Sequence, residues 1–294
     1  MPDLINNARA KFNLPSATSA DDATINTLIA AASQAIQRHC RRDFAVTAYD
    51  ELYNGTGERR LLLRQYPLLA VQSVRYRPVT VLKIINSNIA LNQQARVSVT
   101  GTGLSLVRTA SGVAASDTVT FAGNVTLTAL AGAINALGNG WAAQVVGDYG
   151  PWPAADLRAP QGALTACGQF AELKMHTVEL AGYQLDERRG WLLRAIPYTD
   201  PELLHPEDLV WPVGVNNFRV QYTAGYATVP EDVQEACAEL VATWFAQRGR
   251  DLSLHSEDTA GTYRYTAEAN QQLPRRVRAL LRPYRYHTVA TNQG

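Results

Sequence analysis

Residues 36–44 read IQRHCRRDF, and they hold the chain's densest set of chemically capable side chains. His39 and Cys40 are ligand types for a soft metal and partners for thiolate catalysis. Neighbours on a helix point to different faces, so these two cannot hold one ion together. The residues read instead as a buried Cys40 beside an exposed His39. None of the five histidines, His39, His176, His205, His255 and His287, falls in an H-x-x-x-H pattern, and no Cys-x-x-Cys occurs. HSED at 255–258 reads as a solvated loop, and DERRG at 186–190 as a charged hairpin tip rather than an acid–base pair. There is no phosphate loop with a following lysine and no G-x-S-x-G elbow. No catalytic residue, cofactor site or metal site can be proposed.

One charged cluster stands out. Arg275, Arg276, Arg278, Arg282 and Arg285 crowd the end of the chain without an acid among them, and Tyr284 and Tyr286 interleave. Arginine with tyrosine suits phosphate and base contacts. It also suits docking on an acidic protein groove, and a solvated helix face is the third reading. The whole chain exerts no such pull, because 27 basic side chains balance 26 acidic ones over 294 residues.

The hydrophobic share, 46%, is enough for a core. Cys40, Cys167 and Cys237 are too few and too scattered for a disulfide framework. No run reaches the apolar length of a signal or a membrane span. The expectation is a soluble protein made in the cytoplasm, with no membrane partner.

The elements that must position these residues follow from periodicity. A short helix is expected near 3–12. A longer one spans 21–41, with Ile25, Leu28, Ile29, Ala32, Ile36 and Cys40 on one stripe and a Ser19/Asp22 capping box. Alternation predicts strands at 46–53 and 60–64, joined as a hairpin by NGTGE, and another at 70–77. From 79 to 215 charges thin out and Thr, Ser, Gly, Ala and Val dominate, which predicts β structure around one helix near 127–137. A strand at 218–223 leads to a helix at 230–248 with Val233, Ala236, Cys237, Leu240, Val241, Trp244 and Phe245 in register, and 273–282 is a last short helix. The two long helices are expected to pack on each other. The resulting expectation is an α+β fold: a helical bundle (21–41, 230–248, 273–282) with a β-hairpin. Its core would be 1–78 with 216–294, and 79–215 would be an inserted β-rich subdomain.

The end segments resemble the head–tail connector proteins of tailed bacteriophages. The resemblance rests on His39, Cys40, Arg41, Arg42, Asp43 and Phe44 closing an amphipathic helix. Gly55, Gly57, Pro67 and VQSV follow, and then Tyr222, Ala224, Gly225, Tyr226 and Pro230 before the last long helix. It covers about 125 residues in two blocks; the middle segment is much longer than in compact members. The resemblance implies a structural adaptor without catalysis, in the virion at the head–tail junction. It implies a ring of probably 12 copies under the portal protein, a downstream tail, stopper or terminator partner, and non-specific contact with DNA in the lumen. It also implies a portal-docking arm at Arg275, Arg276, Arg278, Arg282, Tyr284, Arg285 and Tyr286. On this reading Arg41, Arg42 and Asp43 face a neighbouring subunit, and Arg41 or Arg42 pairs there with Glu231 or Asp232. The alternatives are a nucleic-acid-binding protein using the basic C-terminal arm, and another tail or baseplate structural protein.

Overall fold

The computed structural model describes residues 3–158, 162–195, 209–248, 256–259, 263–266 and 273–285. Helix α1 (Asn7–Phe12) precedes α2 (Asp22–Cys40), and strands β1 (Thr47–Gly55), β2 (Arg60–Leu62) and β3 (Leu68–Asn86) follow. Next come β4 (Asn92–Val99), β5 (Gly103–Ala110), β6 (Val113–Thr120), α3 (Leu127–Ala136) and β7 (Trp141–Val145). Then come β8 (Leu164–Thr165), β9 (Ala171–Glu179), β10 (Tyr183–Asp186), β11 (Trp191–Arg194) and β12 (Gly214–Ala224). Helix α4 (Glu231–Gln247), β13 (Ser256–Thr259), β14 (Tyr263–Thr266) and α5 (Arg275–Leu281) end the order.

The molecule is not a helical bundle. Its described residues form four antiparallel sheets and five α-helices, and strands outweigh helices. Helices α1, α2, α4 and α5 do share one core, in which Ile25, Ile29, Ile36 and Cys40 meet Val233, Cys237, Leu240 and Val241. The amphipathic stripes therefore find each other, but they form one layer beside a larger β structure. The capping box is formed by Thr18 and Asp21 around the short turn Ser19–Asp21 that leads into α2, rather than by Ser19 and Asp22.

The expected hairpin of β1 with β2 does not form either. β1 pairs antiparallel with β12, placing Tyr49 opposite Tyr222, while β2 pairs with β11. The two strands part after Gly55, where the chain passes so close to Pro212 that an added Cβ would lie 1.7 Å from its carbonyl oxygen. A turn-rich stretch shows that the chain bends; it does not choose the partner strand.

β3 organises the rest. Its first half pairs with β12, and its second half pairs with β9 and β7. It passes through Arg77 and Pro78 without a break. The second half lies over a separate core built with β4–β6, α3 and β9, including Leu82, Ile84, Leu106, Leu130, Ile134 and Leu173. A third core under β12 holds Tyr53, Trp211, Phe218 and Tyr222. Trp211 is fully buried, and its indole N–H donates to the carbonyls of Arg59 and Leu192, tying the segment that leads into β12 to the β10–β11–β2 sheet.

A charge network centred on one buried arginine spans these parts. Arg219 on β12, only 2% exposed, pairs with Asp50 of β1 at 2.8 Å and with Asp156 at 2.8 Å. Asp156 also pairs with Arg75 at 2.8 Å, and Asp50 pairs with Arg158. The loop 156–158 is thereby tied to the sheet face. Burial pushes both carboxyls upward, but the hydrogen bonds and charge of Arg219, with Arg75 and Arg158, hold each below its ordinary value of 3.8.

Two outcomes follow from this fold. Burial raises the Cys40 thiol to about 11 and the Cys237 thiol to about 12, whereas Cys167 is half-exposed. At pH 8 a disulfide reagent should titrate Cys167 alone, and all three thiols only after denaturation. Replacing Arg219 with Met should cost roughly 1–3 kcal/mol of stability at pH 7, because Asp156 and the more exposed Asp50 lose a buried partner but keep Arg75 and Arg158. The pairing is fully present above 3.8 and is lost as pH falls through the depressed folded values, so the penalty measured by urea unfolding should shrink on acidification.

Candidate functional site

The stretch IQRHCRRDF lies where the helical layer meets the sheet. Helix α2 ends because Arg41 adopts a left-handed conformation, φ 55°, with its N–H on the Gln37 carbonyl. The Arg42 N–H reaches the same carbonyl at 3.2 Å. This reversal turns Arg42 back into the molecule. Its side chain is 3% exposed, with the guanidinium 3.9 Å from the centre of the Tyr66 ring and 5.4 Å from those of Phe44 and Tyr226. It also donates to the Tyr66 carbonyl. A planar, weakly hydrated cation suits such an aromatic cage better than the strongly hydrated primary ammonium of a lysine.

The neighbouring residues hold the same turn. The Asp43 N–H donates to the Gln65 side-chain oxygen at 2.9 Å, and the Tyr49 hydroxyl donates to the Asp43 carboxylate at 3.0 Å. Burial first, and then the Asp43 carboxylate, push the Tyr49 phenol up to about 12. From the other side, the hydroxyls of Tyr53 and Tyr222 accept the N–H groups of Arg64 and Gln65 and donate to Glu51. The turn 64–67 is thus clamped between the end of α2 and the tyrosines of the sheet. Phe44 is fully buried against Tyr226 at 6.3 Å and Tyr284 at 6.0 Å. Gly225, at φ 126°, lets Tyr226 reach Phe44; a Cβ there would lie 2.3 Å from the Ala45 carbonyl oxygen.

The residues singled out from sequence divide clearly. Arg41 is exposed, Arg42 is buried within its own chain, and Asp43 is half-buried. Glu231 is 73% exposed and pairs with Arg9 at 2.9 Å; Asp232 accepts from the Tyr284 hydroxyl at 3.4 Å. Tyr284 therefore joins α5 to α4 and to the Arg42 cage. Arg276 pairs with Glu239 at 3.2 Å, and Arg275, Arg278, Arg282 and Arg285 are exposed. Tyr286 lies outside the described residues, as do His205, His255 and His287. His39 is half-buried; burial first, and then the nearby Arg285 and Arg278, hold its imidazole below the usual range. Sequence reasoning missed Gln65, Tyr66 and Tyr49, whose only advance signal was a Tyr-Pro step before a strand.

Beside the cage a pocket of about 380 Å³ opens between α2 and the turn, lined by Gln34, Gln37, Arg38, Arg41, Arg42, Asp43 and Gln65. Among the described residues no group of three or more His, Cys, Asp or Glu is arranged to hold a metal ion, and no helix is long and apolar enough to cross a membrane. The site offers Arg38 and Arg41, both exposed, beside a buried and caged Arg42.

The family model for head completion proteins matches residues 4–128 and 208–287, which include the α2 end, the clamped turn, β12, α4 and α5. The chain belongs to the head completion protein family. Such a protein is a structural head–tail component of a phage particle, and the site just described lies wholly within the matched residues. Two solved structures resemble the chain over 99% of its length and 94% of theirs. One is a chain in the neck of an empty gene transfer agent particle computed with C6 symmetry, at TM-score 0.42 and 14% identity. The other is in the virion of a native gene transfer agent particle, at TM-score 0.41 and 13% identity. No curated protein matches.

Replacing Arg42 with Ala should lower stability by roughly 2–4 kcal/mol, since the cage and the Tyr66 carbonyl both lose their partner. Lys at the same position should recover less than half of that loss, as read by urea unfolding.

Proposed function

We propose that this head completion protein acts as a ring-forming adaptor at the head–tail junction, set beneath the portal and extending the DNA channel toward the next tail component. The observation that supports this is the family match over both flanks of the chain. The ring would be dodecameric, and its work would be mechanical rather than catalytic. In a closed ring one surface patch meets a different patch on the next copy. Because Arg42 is engaged within its own chain, and Glu231 and Asp232 already meet Arg9 and Tyr284, Arg41 is the residue of this helix end that we assign to an intermolecular contact. Exposed Arg275, Arg278, Arg282 and Arg285 would contact the portal.

The division of the chain is part of the same proposal. Residues 1–78 with 216–294 would form the ring body, and 79–215 would project outward beside it. DNA passing through the lumen would be touched without sequence reading, in keeping with a net charge of +1. A near-neutral chain does not hold phosphates strongly against exit.

Mass and symmetry of the purified protein, measured by light scattering and negative-stain imaging with and without its own portal ring, test the proposal. A ring, or a monomer that becomes a ring on the portal, is the expected outcome. A monomer that ignores the portal and binds duplex DNA in low salt would replace the adaptor with the basic-arm reading. Truncation is unsuitable for locating the arm, because Leu273, Val277 and Leu281 belong to the helical core. R282E with R285E should instead abolish portal binding while leaving the unfolding transition in place.

A further inference from the structure

We propose that the pocket at the C-terminal end of α2 receives an acidic side chain carried on an extended segment of another protein. The proposal rests on the docking role above and names the chemistry of one partner contact. Four observations carry it.

Arg41 is exposed at the pocket's rim and sits at φ 55°, where glycine would be less strained. Arg38, also exposed, lines the same pocket. The cations are thus placed on a helix end and its reversal, a rigid platform.

Gln37 lies in the pocket wall, 4% exposed, and neither its amide nitrogen nor its amide oxygen has a hydrogen-bond partner within the chain. The Arg42 Nε is likewise without one. An amide offering both a donor and an acceptor matches a peptide group, which presents N–H and C=O side by side. A phosphodiester presents acceptors alone and would leave the Gln37 oxygen unsatisfied. The orphaned amide therefore favours a polypeptide over nucleic acid.

The aromatic rings at this place are committed. Tyr66, Phe44 and Tyr226 cage Arg42, and Tyr284 packs on Phe44, so bases would find no free stacking platform there.

Among the described residues of the pocket the chain supplies no spare acid. Asp43, the one acid in the pocket lining, is engaged by Tyr49. The cationic rim has its natural complement on a protein with acids to spare.

Fluorescence anisotropy with a short labelled Asp/Glu peptide, its Asn/Gln isostere and a duplex DNA, each at low and physiological salt, tests this on the full chain. The acidic peptide should bind, and its amide isostere should bind much more weakly. R41G should weaken acidic-peptide binding by roughly tenfold, the equivalent of one charge-assisted hydrogen bond. Because glycine suits the backbone there, R41G should melt no lower than the parent protein. Q37L, apolar and of similar volume, should weaken the peptide and keep the fold. R96A removes one exposed cation on β4 and should change nothing. Equal binding by R41G and the parent, equal losses in R41G and R96A, or Arg41-dependent preference for DNA would each overturn the proposal. Imaging on portal rings separates the two levels. If R41G still docks while no acidic peptide binds the parent protein, only the pocket proposal fails. If the parent protein itself does not dock, the adaptor reading fails.

Discussion

The junction between the helical layer and the sheet depends on a single arginine cation sealed among three aromatic rings. Arg42 is nearly inaccessible, faces Tyr66 at close range, and satisfies that residue's carbonyl. A buried cation without such partners would be unfavourable by several kcal/mol. The cage therefore requires α2, the turn 64–67 and the β12–α4 connection to be in place together. Each comes from a distant part of the chain, so the cage reads out correct assembly of the helical layer on the sheet.

The Arg219 network plays the corresponding role on the other side of the molecule. One cation satisfies Asp50 and Asp156, and these bring in Arg158 and Arg75. Such a network adds little over well-packed apolar residues, but losing its carboxylates would strand the buried Arg219 cation in a poorly solvated place. It therefore acts more as a pin on geometry than as a source of stability. The consequence for a particle component is a rigid body: the loop at 156–158 is held to the sheet by charges that cannot separate without cost.

The division of labour among the arginines follows. Arg42 and Arg219 are internal struts, whereas Arg41 and the exposed arginines of α5 are surface groups. Adjacent positions in sequence, Arg41 and Arg42, thus have opposite duties, and the difference comes from one left-handed residue. The helix end sets one side chain at the rim of a pocket and turns the next into the core.

Periodicity by itself determined where the long helices lie, which face each buries and that they share a core, because apolar residues at spacings of three and four have few other ways to leave water. The order of His39–Phe44, the Gly-rich turn and the Tyr222–Pro230 segment was enough to point to the family. Tertiary structure alone decided that strands outweigh helices, that β1 lies against β12 and β2 against β11, and that β3 runs unbroken through Pro78. Strand pairing is set by contacts between segments more than a hundred residues apart, and alternation records only which face is buried. Tertiary structure also decided the fate of each charge. A guanidinium becomes a strut or a surface group according to which rings and carboxylates the fold brings to it, and no local pattern in the chain encodes that neighbourhood.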